Sequence, residues 1–564
     1  MTVSNMRRKL MGTALLVLLL AALLLPVTRL LSSGQDTARD QTADGVELML
    51  GLLARSPAYR AQTPVEPMLE LEEIWALEDE REESGTPLVV GMRNGDQEMG
   101  YDAASDTFYC TIGMETGESW PELALFAQAA DGVQDLHVVW VDDYSYDYAS
   151  DAVRDGWRYE LLAYTDTEFA YVGVVFTGLP VVTLHVQADT EIGDAYIPAR
   201  FSVSDGVGEP VVEAAKVHTR GNEKHIPKFG YRIEFHTLSA RGRDKKKEVS
   251  VLGMQADTDW LLIANAQDAT TVRNHLCFDL WNRWNQNSNA LLKQESHLVE
   301  VFVQNEYKGI YQLMERVNPH EDIAAVGGNA TEDCLIRLGG NREGVHQIDK
   351  MEEAGFVAEY QYEAKGDVER ALRLFDDYVK LNCLNPPMSD EEFADLAMKR
   401  LDFDSALSYF LFMQSCGLVL DNAKNNLYIW IAWENGDYVY RFAPWDMDFG
   451  IMRAEYQRDG SLVRYFDMDP IAIRRILDLN LPGSREKLWE IWNEKKQLLL
   501  HDEAIENWIC SVEDEIYRSG AYLRESKKWL YGARYLDLSD FLEFEKRQVE
   551  VIDEVLMENW PIIE

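Results

Sequence analysis

The residues best suited to chemistry lie in two neighbouring segments. Asp421-Asn422-Ala423-Lys424-Asn425-Asn426 precedes the apolar run Leu427-Tyr428-Ile429-Trp430, and about twenty residues after Asp421 comes Arg441-Phe442-Ala443-Pro444-Trp445-Asp446-Met447-Asp448-Phe449-Gly450. Carboxylates and side-chain amides are hard oxygen donors of the kind that hold magnesium on phosphates. Phosphoryl transfer needs such ligands and a further carboxylate that orients the attacking hydroxyl. Asp421, Asp446 and Asp448 are hard to explain blandly. Acids beside apolar strands incur a burial cost of several kcal/mol unless cations or hydrogen bonds offset it, and a metal would do so. Each segment is a weak signal alone, since runs rich in Asp and Asn are often turns.

Such a site needs elements that converge on it. Strand-like stretches at Val181–Val186, Tyr231–Phe235, Val299–Val303 and Gly309–Met314 alternate with helical ones at Val272–Trp284, Glu359–Leu381 and Asp404–Cys416. Beyond Asp469 the chain reads as mainly helical, with apolar residues at helical spacing in Leu488–Leu500 and Phe541–Met557. Upstream, short β-type runs such as Leu88–Gly91, Thr107–Ile112, His137–Trp140 and Tyr159–Tyr164 alternate with turn residues and predict a small β-sandwich over 86–175. Its aromatics (Trp140, Tyr144, Tyr146, Tyr148, Trp157, Tyr159) read as core and rim rather than a glycan platform. Residues 32–85 read as an acidic stalk, with a short amphipathic helix within Glu66–Ser84. Arg7, Arg8 and Lys9 precede an apolar run from Leu10 to Val27, long enough at about 1.5 Å per residue to span a bilayer. No clear A-x-A site follows, so an uncleaved signal-anchor over 1–31 is preferred to a cleaved signal peptide. The basic start places the N-terminus in the cytoplasm and the body outside it.

Composition excludes several classes. The chain has 564 residues, 46% of them hydrophobic, and a formal net charge of −43. That acidity repels phosphate backbones and argues against nucleic-acid binding. The six cysteines show no CxxC and no Cys/His pairing at zinc spacing. There is no GxxxxGK[ST] loop, no GxSxG elbow, no HExxH helix and no glycine-rich GxGxxG loop. Arg241–Lys247 (RGRDKKK) is a local basic exception and reads as a solvated hairpin tip.

Asp421 with Asn426 repeats the Asp-to-Asn spacing of the protein-kinase catalytic loop HRDxxxxN, without its His and Arg, and Asp448-Phe449-Gly450 spells the kinase metal motif. The wider segment resembles the CotH family, the kinase-like spore-coat protein H family. Five ordered blocks over roughly 230 residues carry the resemblance: Val217–Asn222 with Pro227–Phe235; Asp259–Asn265 with Asp268 and Arg273-Asn274; Val301–Glu315; Asp421–Asn426; and Pro444–Asp448. The resemblance implies an α+β atypical protein-kinase-like domain, over 176–476 with a helical remainder over 477–564. It also implies ATP with Mg2+ or Mn2+ as cofactors, and Ser/Thr phosphorylation of surface or coat proteins. It makes Asp421 the catalytic aspartate, and Asn425 or Asn426 with Asp446 or Asp448 the metal ligands. Lys228 and Arg232 would reach the phosphates, alongside Arg220. Arg273, Asn274 and Glu315 would order the site, Glu315 by an ion pair with Lys228. Two departures stand out: Phe229 replaces the second lysine of the family's PKK, and Glu223 and Lys224 replace its serines.

Blander readings stand beside these. Arg220 and Arg232 could pair with carboxylates anywhere in so acidic a chain, and Arg273 and Asn274 could cap a helix. Trp445 and Phe449 read as core. The rival functions are a degenerate kinase-like scaffold or adhesion protein of the cell surface, and a glycosidase for which no acid/base pair can be assigned. ATP is scarce outside a bacterial cytoplasm, so the kinase reading needs a local supply.

Overall fold

The computed structural model of the chain describes residues 45–113, 120, 122–141, 148–221, 226–238, 244–286, 292–317, 327–329, 332–339, 346–347, 359–362, 368–382, 387–418, 426–448, 450–451, 471–529 and 537–562. The N-terminal strands are β1 (Thr63–Glu66), β2 (Glu82–Glu83), β3 (Val89–Asn94), β4 (Gln97–Glu98), β5 (Gly100–Asp102), β6 (Thr107–Thr111), β7 (Leu125–Ala129), β8 (His137–Trp140), β9 (Arg158–Tyr164) and β10 (Glu168–Thr177). They run in the order β4-β3-β7-β1-β8-β9-β10-β6-β5, with β2 on β10. One apolar cluster, including Met92, Phe108, Leu125, Val138 and Phe176, draws on both halves of this path, so the strands wrap a single core.

The expected stalk is corrected here. β1 lies inside the sheet, antiparallel to β7 through Thr63 and Pro64 and parallel to β8 through Val65 and Glu66. A short helical turn, α1 (Pro57–Arg60), precedes it, and α2 (Leu71–Asp79) follows, burying Ile74 with Val139 and Leu162. A four-residue strand leaves little periodicity and its acidic surroundings hid it, whereas α2 falls within the short helix expected over Glu66–Ser84. Helix α3 (Ala149–Asp155) packs on β10.

The next strands are β11 (Val181–His185), β12 (Ile197–Ser204), β13 (Val211–Arg220), β14 (Gly230–Leu238), β15 (Asp244–Lys246), β16 (Asp259–Ile263), β17 (Ser296–Val303) and β18 (Glu306–Glu315). Because β13 pairs with both β12 and β14, they close as a barrel in the order β13-β12-β11-β17-β18-β16-β14, with β15 extending from β14. Alternate residues such as Leu184, Phe201, Val217, Ile233 and Trp260 fill its interior. Leu261, Leu298, Ile310 and Met314 belong instead to a cluster shared with the helices. Sequence reading singled out stretches within β11, β14, β17 and β18 but not the closure, which depends on the long-range β13–β14 and β11–β17 pairings. In the basic cluster, Lys246 bonds Asp259 at 2.8 Å and Lys247 pairs with Glu213, so the described part is a hairpin arm held by ion pairs.

Helix α4 (Arg273–Trp284) packs on β17. A second sheet, order β20-β21-β19-β22-β23, comprises β19 (Cys334–Gly339), β20 (His346–Gln347), β21 (Glu359–Tyr362), β22 (Leu427–Glu434) and β23 (Asp437–Pro444). The remaining helices are α5 (Val368–Leu381), α6 (Asp390–Arg400), α7 (Phe403–Ser415), α8 (Ile471–Asp478), α9 (Ser484–Leu498), α10 (Asp502–Arg518), α11 (Ala521–Trp529) and α12 (Ser539–Asn559). Helix α7 is buried from Ser405 to Ser415 because α8, α9, α12 and β23 surround it. The architecture is mixed α+β. No helix among the described residues is long and apolar enough to cross a membrane, and the anchor expected over 1–31 lies outside them.

Candidate active site

The acid-bearing loop owes its position to a hairpin. β22 and β23 pair from Leu427↔Pro444 to Glu434↔Asp437, and the two-residue turn Asn435-Gly436 has φ of 52° and 81°. Asn-Gly tolerates this left-handed pair, whose twist matches the strands it joins. At the open end the Trp445 N–H donates to the Asn426 carbonyl at 2.8 Å. The two segments singled out by sequence are therefore joined at one point. The apolar run after Asn426 is the first of these two strands; Asp421 and Asn425 lie outside the described residues.

Beyond Trp445, Asp446 is exposed, Met447 fully buried and Asp448 half-buried. Asp446 has φ of 55°, which turns the backbone sharply between the buried Trp445 and Met447. The Met447 N–H donates to Asn274 Oδ1 at 2.8 Å, while Asn274 Nδ2 donates to Gln312 Oε1 of β18 at 2.7 Å. Asn274 thus bridges barrel strand β18 and the backbone between the two acids. Gly450 closes the turn, its N–H donating to the Met447 carbonyl, and a Cβ there would sit 2.6 Å from Cys277 Sγ. Only glycine allows that approach.

Arg273 stands next to Asn274 at the start of α4. Its N–H donates to Asp268 Oδ2 at 2.9 Å, its guanidinium pairs with Asp268 Oδ1, and Nε donates to the Ile451 carbonyl at 3.2 Å. It ties the start of α4 to the far side of the acid loop and lies over Phe541 of α12.

Lys228 precedes β14, and its side chain is fully enclosed. Its Nζ donates to Glu525 Oε1 at 2.6 Å and to the Ile310 carbonyl at 2.8 Å, while Glu525 Oε2 accepts the Ile310 N–H. Burial pushes the ammonium below its ordinary value and the carboxyl above its own, each opposed by the partner's charge. Lys228 therefore pairs with Glu525 of α11 and not with Glu315. Glu315 sits at the far end of β18, opposite Trp260, with Oε1 buried and without a hydrogen-bond partner among the described residues. Burial, then the charges of Glu295 and Asp257, push its carboxyl up to about 7.

Arg232 is also engaged elsewhere: Nε and Nη2 grip Asp259 Oδ1 at 3.0 and 2.6 Å. Arg220 ends β13 opposite Gly230, at the same end of the barrel as Lys228. The structure thus gathers Arg220, Lys228, Arg273, Asn274, Asn426, Asp446 and Asp448 around one end of the barrel and the hairpin base. Arg232 and Glu315 have their contacts farther along β14 and β18. Sequence reading missed Glu525, which lies 297 residues from Lys228. The only local sign is Gly309, at φ 95°, where a Cβ would collide with the Glu525 carboxylate.

Among the described residues no group of three His, Cys, Asp or Glu side chains is placed to hold a metal. Among the described residues, the oxygen donors on this loop are the carboxylates of Asp446 and Asp448 and the side chain of Asn426.

A family model described as CotH kinase protein matches residues 217–551, more than half of the chain. The chain belongs to the CotH family. The CotH match opens within β13 and ends within α12, so it takes in the barrel wall from β13 onward, the hairpin, the acid loop and Glu525. Strands β11 and β12 of the same barrel lie upstream of it, as does the N-terminal sheet. No curated protein matches this CotH chain.

Proposed function

We propose that this CotH-type chain is a protein kinase that transfers the γ-phosphate of ATP to Ser or Thr hydroxyls of surface or coat proteins. The observation that carries this reading is the Asn274 bridge, which fixes the backbone between Asp446 and Asp448 against barrel strand β18. Two carboxylates on a fixed turn suit a hard divalent ion. Asp446 and Asp448, with Asn425 and Asn426, would hold Mg2+ or Mn2+, which when bound neutralises charge on the phosphates. Asp421 would accept the substrate hydroxyl's proton as its oxygen bonds to the γ-phosphorus and ADP leaves. Arg220 and Arg273 would supply positive charge at this end of the barrel. Lys228 acts from within by fixing β18 through Ile310, and a direct phosphate contact would require Glu525 to release it. With an N-terminal signal-anchor, the catalytic body would face outward from the membrane.

A catalytically degenerate scaffold is the second reading. The full enclosure of the Lys228 ammonium favours it, since kinases present their strand lysine to the phosphates. Labelled-ATP transfer by the full chain, with magnesium and separately manganese, decides between them. The kinase reading expects incorporation that Asp448→Ala lowers by about two orders of magnitude or more with unfolding unchanged, the scale of losing a key electrostatic group. No incorporation, with no metal-dependent nucleotide binding, would leave the scaffold.

A further inference from the structure

A cavity of about 630 Å³ lies between α4, the start of β17 and the segment Leu252–Met254. Among the described residues, its lining includes His275 of α4 and Ser296 of β17 but nothing of the acid loop. A chain of four hydrogen bonds nonetheless joins the two. It runs from the Met447 N–H to Asn274 at 2.8 Å, from Asn274 to Gln312 at 2.7 Å, from Gln312 to Ser296 at 3.0 Å and from Ser296 to His275 at 3.0 Å. Asn274 and Gln312 are buried, whereas His275 is partly exposed.

The sense of this chain is fixed at its loop end. A backbone N–H can only donate, so Met447 makes Oδ1 the accepting end of Asn274 and leaves Nδ2 to donate to Gln312 Oε1. Gln312 then has only Nε2 to offer Ser296, whose Oγ accepts it. The Ser296 hydroxyl proton remains to be placed, and His275 Nδ1 is its one acceptor among the described residues. A neutral imidazole that accepts at Nδ1 carries its own proton on Nε2. Burial, then the charges of His297 and Arg283, push the His275 imidazole down to about 4, so it is neutral at ordinary pH and keeps the Nδ1 lone pair for Ser296. Each link thus depends on the one before it, and aligned hydrogen bonds of this kind strengthen one another.

We propose that His275 is a positioning residue for the acid loop: as the Nε2–H tautomer it accepts from Ser296 and completes the chain that holds Met447 in place. Its role in catalysis rests on the reading of that loop as the site of phosphate transfer. Nitrogen NMR of the full chain labelled with 15N-histidine reads the tautomer, and His275→Phe identifies the resonance by its loss among the ten histidines. The parent is expected to hold His275 as the Nε2–H tautomer, and Ser296→Ala should let the Nδ1–H form appear. Hydrogen exchange at the Met447 amide should quicken about fivefold in Ser296→Ala and in His275→Phe, the scale of one neutral hydrogen bond. His297→Gln, at the same cavity but outside the chain of bonds, should leave it as in the parent. An Nδ1–H tautomer in the parent, or unchanged Met447 exchange in folded Ser296→Ala, would overturn the proposal. Should His275→Phe fail to fold, exchange in Ser296→Ala decides alone. Neither readout uses phosphate transfer, so a chain that transfers none would count against the kinase reading and leave this test standing.

Discussion

Asn274 uses both ends of its amide, accepting from Met447 and donating to Gln312, and is 1% exposed. Asn274→Ala leaves a buried N–H and a buried amide oxygen unpaired, at about 1–3 kcal/mol each. Urea unfolding should register that loss, and any transfer activity should fall more steeply than stability because the acid loop is released. Activity equal to the parent's in the folded variant would remove Asn274 from the site. Glu315 makes a pH prediction. Below about pH 4.5, its ordinary value, the group is protonated in folded and unfolded chains alike and contributes nothing. As pH rises, the unfolded chain releases its proton first, so the folded state is increasingly disfavoured until the folded value near 7 is passed. Glu315→Gln should therefore stabilise the chain more at pH 8 than at pH 5. A gap in thermal unfolding that does not change with pH would refute this.

Helix α11 is the element that binds the barrel to its surroundings. Glu525 reaches Lys228 and the Ile310 backbone, Lys528 bonds Glu306 at 2.8 Å, and Trp529 Nε1 donates to the Lys308 carbonyl at 3.0 Å. Removing one member of a buried ion pair strands the other, at about 3–5 kcal/mol, whereas replacing both by apolar residues of similar size costs far less. Lys228→Met should thus destabilise strongly in urea unfolding, and Lys228→Met with Glu525→Leu should recover most of the loss. A double variant no more stable than the single one would show that α11 docks by other contacts.

Across the whole molecule, the N-terminal sheet, barrel and C-terminal helices meet at Arg524. Its guanidinium holds Glu300 of β17 and donates to Thr177 Oγ1 at 2.8 Å, while Tyr307 donates to Glu300 at 2.7 Å. Three parts of the chain share one buried network. The sheet itself depends on β1, which joins β7 to β8. A chain beginning at residue 86 lacks β1 and α2, exposing the edges of β7 and β8 and the apolar face around Val139 and Leu162. It should aggregate or bind a hydrophobic dye, whereas a chain beginning at residue 45 should unfold cooperatively. Equal behaviour of the two would return residues 57–83 to the status of a spacer.

What the sequence determined by itself was local. The order of acids, the apolar run after Asn426, the helix opening at Arg273 and the family blocks were all legible, because spacing along the chain acts over a few residues. Closure of the barrel, the place of β1 within a sheet and the partner of Lys228 were decided only by tertiary structure. Those contacts join residues far apart in the chain, and an ion pair or strand pairing between them leaves no periodicity to read. Arg232 and Glu315 show the same limit: their residue types suit phosphate chemistry, but Asp259 engages one, and the strand register opposite Trp260 places the other at the far end of β18.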